Sequence, residues 1–499
     1  MVCTIRPLSV HWRGIRTEYP NQGCRWQYNR LVVTADKVSN RAETTVPRAW
    51  NRCKMVRNGK GGTFTRLGRA GKKKVGGMML EPDYFLGKED RLIEIFRKLE
   101  DDILHDITRR LVNAGELTAT ADRLLYRLQQ MGESREYIEQ KLAEYMDMSR
   151  AELRKILQNA VLASWASDEE TLKQMGLVAS PPLENPLVIQ IMDSEYRKTL
   201  GELSNLTRTT MDQAQKDLIN LMDETEMRVA AGAESYTQAT ADVLDRYAGR
   251  GVMVTYPTGT KRTLEAAVRC CVVTSMNQTA AQVTNQYIID TKSEYVLISA
   301  HTGARPQKEG QPYCAGHENW QGKVYRIRGS EPGYPNLLES TGYDIDPVTG
   351  QGKVLNPLGL HGYNCRHSHQ MWDKDLRNPY LDENGNLKIS TEENRKKYDL
   401  MQEQRNMERS IRSTKRRILT MQTELNMLPD GTPEKAAIQD KYDALAYKLT
   451  RQNKAYNDFC DRNNMAPQYE RNKVAGYGYD QERRSKSGAK RYKGRWKRT

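Results

Sequence analysis

From residue 88 to about 249, apolar side chains return at three- and four-residue steps, and this period limits the chain to an architecture built mainly of helices. Leu92, Ile95, Phe96, Leu99, Ile103, Ile107 and Leu111 make the first stripe, and Gly115 stands where a C-terminal cap belongs. Thr118 or Thr120 is placed to cap a second helix that Gly132 ends, and Ser134 to cap a third. Ser149 with Glu152 forms a capping box for a fourth. Ser180-Pro181-Pro182 breaks the pattern, which resumes from about 187 to 231 with Met192, Tyr196, Leu200, Leu203 and Leu206 on one face. Leucine and methionine stripes of this kind are core, with the charged face in solvent. The period returns over 391–428, where Tyr398, Met401, Ile411, Ile418 and Leu425 make an incomplete stripe. Leu428-Pro429-Asp430-Gly431 turns the chain, and Thr432-Pro433-Glu434 opens a second helix, 433–461, as an antiparallel hairpin.

Between the two helical regions the pattern changes. GVMVTY at 251–256 reads as a short strand, Thr263 starts a helix to about 290, and EYVLISA at 294–300 is the clearest strand. KVYRI at 323–327 is another strand candidate in a Gly- and Pro-rich stretch. The expected fold is mainly α with a small α+β module. Its parts are a basic arm over 1–78, an elongated helical body over 79–249, and a compact His/Cys-rich module over 250–375. A C-terminal helical hairpin over 376–465 and a basic, disordered tail over 466–499 complete it. No fixed-period repeat occurs.

Charge is unevenly placed. The chain of 499 residues carries a formal +15, yet residues 1–77 alone hold 17 Lys/Arg against three acids, and 470–499 hold 11 against three. The middle is mildly acidic. Basic arms meet nucleic acid or an acidic partner through counterion release, or simply keep disordered ends soluble. The arm over 1–77 is expected to be either disordered or an upstream extension from a misassigned start codon. No stretch has the length and apolarity of a membrane span or signal core, so no membrane partner is expected. The eight cysteines follow no secreted-domain framework.

Five of the seven histidines, His301, His317, His361, His367 and His369, fall within 301–369 together with Cys314 and Cys365. Soft and borderline donors this close in sequence suit a structural zinc held by Cys314, His317, Cys365 and His367, although the Cys-x-His spacing is tighter than in a standard finger. Each residue also has a plain structural reading. His301 ends a strand and pins a loop, and Arg305-Pro306 is a turn whose guanidinium holds carbonyls or a carboxylate. Gly362 and Asn364 suit positive-φ positions, and Trp320 and Trp372 pack. A Cys/His pair or a His-held metal also suits phosphodiester chemistry, but no glycine-rich phosphate loop is present and the motifs hold few carboxylates. No enzyme activity is expected. The alternative is a metal-dependent nucleic-acid-binding protein or nuclease centred on 301–369.

HTGARP at 301–306, HENWQGKVY at 317–325, LHGYNCRHS at 360–368 and YDLMQEQRNMERSIRSTKRRI at 398–418 together resemble the phage minor capsid protein 2 family, itself similar to Mu-type minor head proteins. LEPDYF at 80–85 resembles the start of that family, so the likeness runs over about 80–465. The family pattern falls on His301, Gly303, Arg305, Pro306, His317, Trp320, Gly322, Asn364, Cys365, Arg366 and His367. The insert QKEGQPYCAG at 307–316 widens its first half. The resemblance implies a structural, low-copy head component, associated with the portal, present in procapsid and virion, and assembled in the bacterial host cytoplasm. It implies no settled enzymatic activity. The basic tail, through Arg483, Arg484, Lys486, Lys490, Arg491, Lys493, Arg495, Trp496, Lys497 and Arg498, suits contact with packaged DNA by phosphate pairing, with Tyr492 and Trp496 for base stacking.

Overall fold

The computed structural model describes residues 79–496 apart from 116–119, 179–180, 183, 233 and 257. The basic arm, Thr118, Lys497 and Arg498 lie outside these residues, as do the side chains of Thr120 and Trp496. Four helices form the N-terminal body: α1 (Asp90–Ala114), α2 (Thr120–Gln174), α3 (Pro186–Ala230) and α4 (Tyr236–Arg250). The apolar stripe of α1 is fully buried and packs on Ile138, Leu142, Leu153 and Leu157 of α2. Asn185 caps α3 through the Leu187 amide with Pro186 in the first turn, and Ser235 closes a capping box with Gln238 on α4.

The second, third and fourth helices expected after Gly115 are one helix of 55 residues, about 82 Å long. Gly132 does not end it. No neighbour approaches that position, so the glycine costs the helix only about 1 kcal/mol. Ser134 and Ser149 cap nothing. Ser134 donates to the Asp106 carboxylate of α1 at 2.8 Å, and Ser149 bonds back to the Tyr145 carbonyl at 2.6 Å.

A hairpin of β1 (Met253–Thr255) and β2 (Lys261–Thr263) leads into α5 (Leu264–Thr291), capped by Thr263. Nearly every side of α5 is buried, because it separates the helical body from the small sheets that follow. These are β3 (Tyr295–Ile298), β4 (Val324–Arg326), the short α6 (Leu337–Thr341), β5 (Tyr343–Ile345), β6 (Gly352–Val354) and β7 (His369–Trp372). The central sheet has the antiparallel order β4-β3-β7, with Ile298 opposite His369, and β5 pairs β6. Its core joins Trp320, Tyr325, Tyr343 and Met371 to Val161 and Leu172 from the end of α2.

The polar helix α7 (Thr391–Met427) and α8 (Pro433–Arg462) make the expected hairpin, sealed by Ile411, Ile418, Tyr442 and Phe459. The tail departs from the expectation of disorder. Residues Tyr479–Trp496 form α9, which packs on α8. Asp443, fully buried on α8, accepts from Arg491 and Arg495, and Gly488 lets the two helices approach. Among the described residues no helix is long and apolar enough to cross a membrane.

Candidate histidine core and arginine cleft

The strand β3 ends at Ile298 and hands the chain to His301, while β7 begins at His369. The antiparallel register therefore brings 299–301 and 367–369 side by side. The turn 359–365 completes the cluster. His361 and Asn364 sit at positive φ, 56° and 54°. Gly362, expected there too, is not at positive φ. It is glycine because a Cβ would overlap the Pro357 carbonyl. Trp320 lies fully buried between His317 and His367, with ring centroids 4.6 and 4.7 Å away, and donates Nε1–H to the Cys314 carbonyl.

Two hydrogen-bonded chains use the histidines. In the first, Gln321 Oε1 accepts from the His301 amide at 3.1 Å and from His367 Nε2 at 3.2 Å. His367 Nδ1 then accepts from the Cys365 thiol at 3.7 Å. His317 donates Nε2–H to the Leu358 carbonyl at 2.9 Å. In the second, Asn277 Oδ1 contacts His361 Nδ1, His361 Nε2 meets His369 Nδ1 at 2.7 Å, and His369 Nε2 lies 2.9 Å from the Asn285 amide. Two neutral rings carry two protons for these three contacts. The count closes when Asn285 presents its NH2 to His369 and accepts from Tyr343 Oη on its oxygen.

Burial holds all five rings neutral. It pushes His301 down to about 4, with Arg366 adding to the effect, and His317 and His369 down to about 3. His361 and His367 lie well below the ordinary histidine value for the same first reason. The Cys365 thiol is pushed up, also by burial. The motif therefore presents uncharged imidazoles and a protonated thiol around neutral pH.

Of the four metal donors expected from the sequence, His317, Cys365 and His367 have ligand atoms within 4.8 Å of one another. Cys314 is not in the group. Its sulfur lies against Gly342. Three donors remain, and the imidazoles already have hydrogen-bond partners.

Arg305 holds two carbonyls, Leu358 and Tyr363, at 2.8 Å each, while Arg366 pairs with Asp83 and donates to His301 Nδ1. Gly303 sits at φ 82° beneath α7, where a Cβ would lie 2.8 Å from Met401 Sδ. These motif residues form one wall of a cleft of about 450 Å3 whose other wall is α7 and the segment at Arg471. The sequence reading missed Gln321, Asn277 and Asn285, which satisfy the imidazoles. Little in the sequence sets Asn277 and Asn285 apart, since their helix also carries Arg269, Gln278, Gln282 and Gln286; what distinguishes them is its burial on nearly every side, which only the fold shows. The sequence reading also did not single out Arg405 and Arg412, which lie within the family-like stretch 398–418, or Arg471, which lies outside every quoted motif.

A family model described as phage minor capsid protein 2 matches residues 80–461. No curated protein and no solved structure matches the chain.

Proposed function

The chain belongs to the phage minor capsid protein 2 family, and from that premise we propose that it is a structural, non-enzymatic component of the phage head, attached at the portal and touching packaged DNA through α9. The observation that carries this reading is the family match over 80–461, which places the chain among phage minor capsid proteins. The inward-turned state of the motif supports a shape-holding role. Its imidazoles are neutral and engaged with one another, with amides and with carbonyls, which suits a rigid docking unit. Helices of 55, 45 and 37 residues supply attachment surface.

The tail cations divide into two sets. Lys486 pairs with Glu482, Arg483 with Asp480, and Arg491 and Arg495 with Asp443. Tyr492 stacks on Tyr447 with centroids 5.4 Å apart, so it is engaged within the fold. Arg484, Lys490 and Lys493 are exposed and, among the described residues, without a carboxylate partner. They are the DNA-contacting set. Replacing all three with Gln weakens binding to a random-sequence duplex. It also lowers the slope of log affinity against log salt by roughly 0.9 for each phosphate pairing removed.

Quantitative mass spectrometry of purified procapsids and virions tests the main reading. A few copies per particle, cross-linked to the portal, are expected. Absence from mature particles overturns it. One observation favours a second reading, a structural metal: the convergence of His317, Cys365 and His367. Stoichiometric zinc in the purified full chain, lost with Cys365→Ser, supports that reading, and metal-free protein of unchanged stability dismisses it.

A further inference from the structure

We propose that the cleft between the 301–305 and 364–366 loops, α7 and Arg471 is a binding site for phosphoryl groups. Eight arginines and three glutamates line it. Three of the arginines are matched within the fold: Arg269 by Glu89 and Glu265, Arg412 by Glu265, and Arg366 by Asp83. Five are not. Arg262, Arg305, Arg405, Arg409 and Arg471 form no ion pair among the described residues, and Glu408 is the one lining carboxylate without an ion pair. Four positive charges are therefore in excess within about 450 Å3.

Such an excess works against folding. Burial and then the neighbouring Arg471 and Arg366 push Arg405 down to about 10, the direction expected of a guanidinium that has lost water and gained like charges. Local choices that oppose stability are found where a ligand uses them. The guanidinium fork matches the paired oxygens of phosphate, and each phosphate monoester brings about −1.5 to −2 charges on a single compact group. Two or three phosphoryl groups thus neutralise the excess in the space available. An acidic peptide needs four carboxylates and the backbone that joins them. The volume lies within the range of about 300–1,000 Å3 typical of small-ligand sites. Tyr398 and the neutral His301 and His317 add an uncharged wall against which a base or sugar can rest. The phosphoryl groups come from a nucleotide polyphosphate or from a nucleic-acid strand end. The site is independent of the head-protein reading and of α9.

Titration calorimetry on the full chain tests this with inorganic tripolyphosphate, ATP, and an oligothymidylate carrying either a 5′-phosphate or a 5′-hydroxyl. A glutamate decapeptide is the acidic comparison. Tripolyphosphate is expected to bind, with affinity falling as salt rises. Arg405→Gln with Arg471→Gln weakens it at least tenfold, and Gln at 484, 490 and 493 leaves it unchanged. Tighter binding of ATP identifies a nucleotide site. A preference for the 5′-phosphorylated strand identifies a strand end. No binding, binding that survives the cleft variant, or the decapeptide binding as tightly overturns the proposal. The cleft variant also sheds repulsion, so without ligand it melts no lower than the parent protein. A lower melting point makes these arginines structural and equally overturns it.

Discussion

Asp168 of α2 is completely buried, its carboxylate accepting from the Thr284 hydroxyl at 2.8 Å and lying 3.4 Å from that of Ser164. Burial pushes it up to about 7, and the two hydroxyls offset only part of that rise. A raised folded-state pKa means that the native protein holds a proton the unfolded chain has released. Stability from this residue is complete below about pH 3.9 and is lost as pH rises to about 7, at up to about 1.4 kcal/mol per unit. Asp168→Asn removes that dependence. Its stability relative to the parent is expected to climb between pH 4 and 7 and to stay level above, read from urea midpoints at each pH. A flat difference across that window contradicts the buried carboxyl. The five imidazoles run the other way: their folded values are depressed, so their stability is present above about 6.5 and fades toward 4. The residue scale was partly legible in the sequence. Asn364 sits in the positive-φ turn expected of it, whereas Gly362 is required by a close backbone approach that only tertiary placement creates. Gly362→Ala is expected to cost at least about 2 kcal/mol, because the clash is with backbone that has nowhere to move.

At the scale of elements, caps and turns were readable where local chemistry decides. Thr263, the Thr432-Pro433 start and the Leu428–Gly431 turn all fall where the sequence puts them. The continuity of α2 was not readable, since an exposed glycine and two serines interrupt the pattern without interrupting the hydrogen-bond ladder. The helix α9 was hidden for another reason. Its composition is that of a solvated tail, and what orders it is Asp443, fifty residues away and fully buried. Charge-assisted bonds to a buried carboxylate contribute about 1.5–3 kcal/mol, while the half-exposed Arg491 and Arg495 rehydrate readily once released. Asp443→Ala therefore detaches α9 without unfolding α8. Trypsin cleavage within 483–495 is expected to accelerate at least tenfold, with the far-UV spectrum of the rest retained, because cleavage follows the population of the open form. Unchanged cleavage means that the remaining contacts, among them the Tyr492–Tyr447 stack and the pairing of Arg495 with Asp440, hold the helix without Asp443.

Across the whole described molecule, Glu265 is the point where distant segments meet. Its carboxylate takes Arg97 of α1 at 3.0 Å, Arg412 of α7 at 3.2 Å and Arg269 of its own helix at 3.4 Å, and it is 6% exposed. The paired arginines hold it below the ordinary glutamate range in spite of burial. No sequence pattern marks this junction, because Arg97, Glu265 and Arg412 are far apart in the chain and each sits in an ordinary helix; of the cleft beside it, the histidine and arginine motif marks only one wall. By contrast, the mainly helical class and the small sheeted module were written in the two periods of the apolar residues. The junction implies that body, module and hairpin unfold together. The helix α5 supplies side chains to the cores of body and module, and its Glu265 holds α7 of the hairpin. Glu265→Gln strands the guanidiniums of Arg97 and Arg412 in a poorly hydrated site, while Arg269 keeps Glu89, and is expected to cost about 3–5 kcal/mol. Replacing Arg97, Glu265 and Arg412 together by leucine recovers most of that loss, because no buried charge is then left unmatched. With Trp12, Trp26, Trp50, Trp165 and Trp496 replaced by phenylalanine, Trp320 and Trp372 report the module, and far-UV circular dichroism reports the helices. In urea, both signals are expected to shift by the same amount in the glutamine variant. If the module's fluorescence transition stays in place while the helical signal moves, the junction is a local contact and the molecule comes apart in pieces.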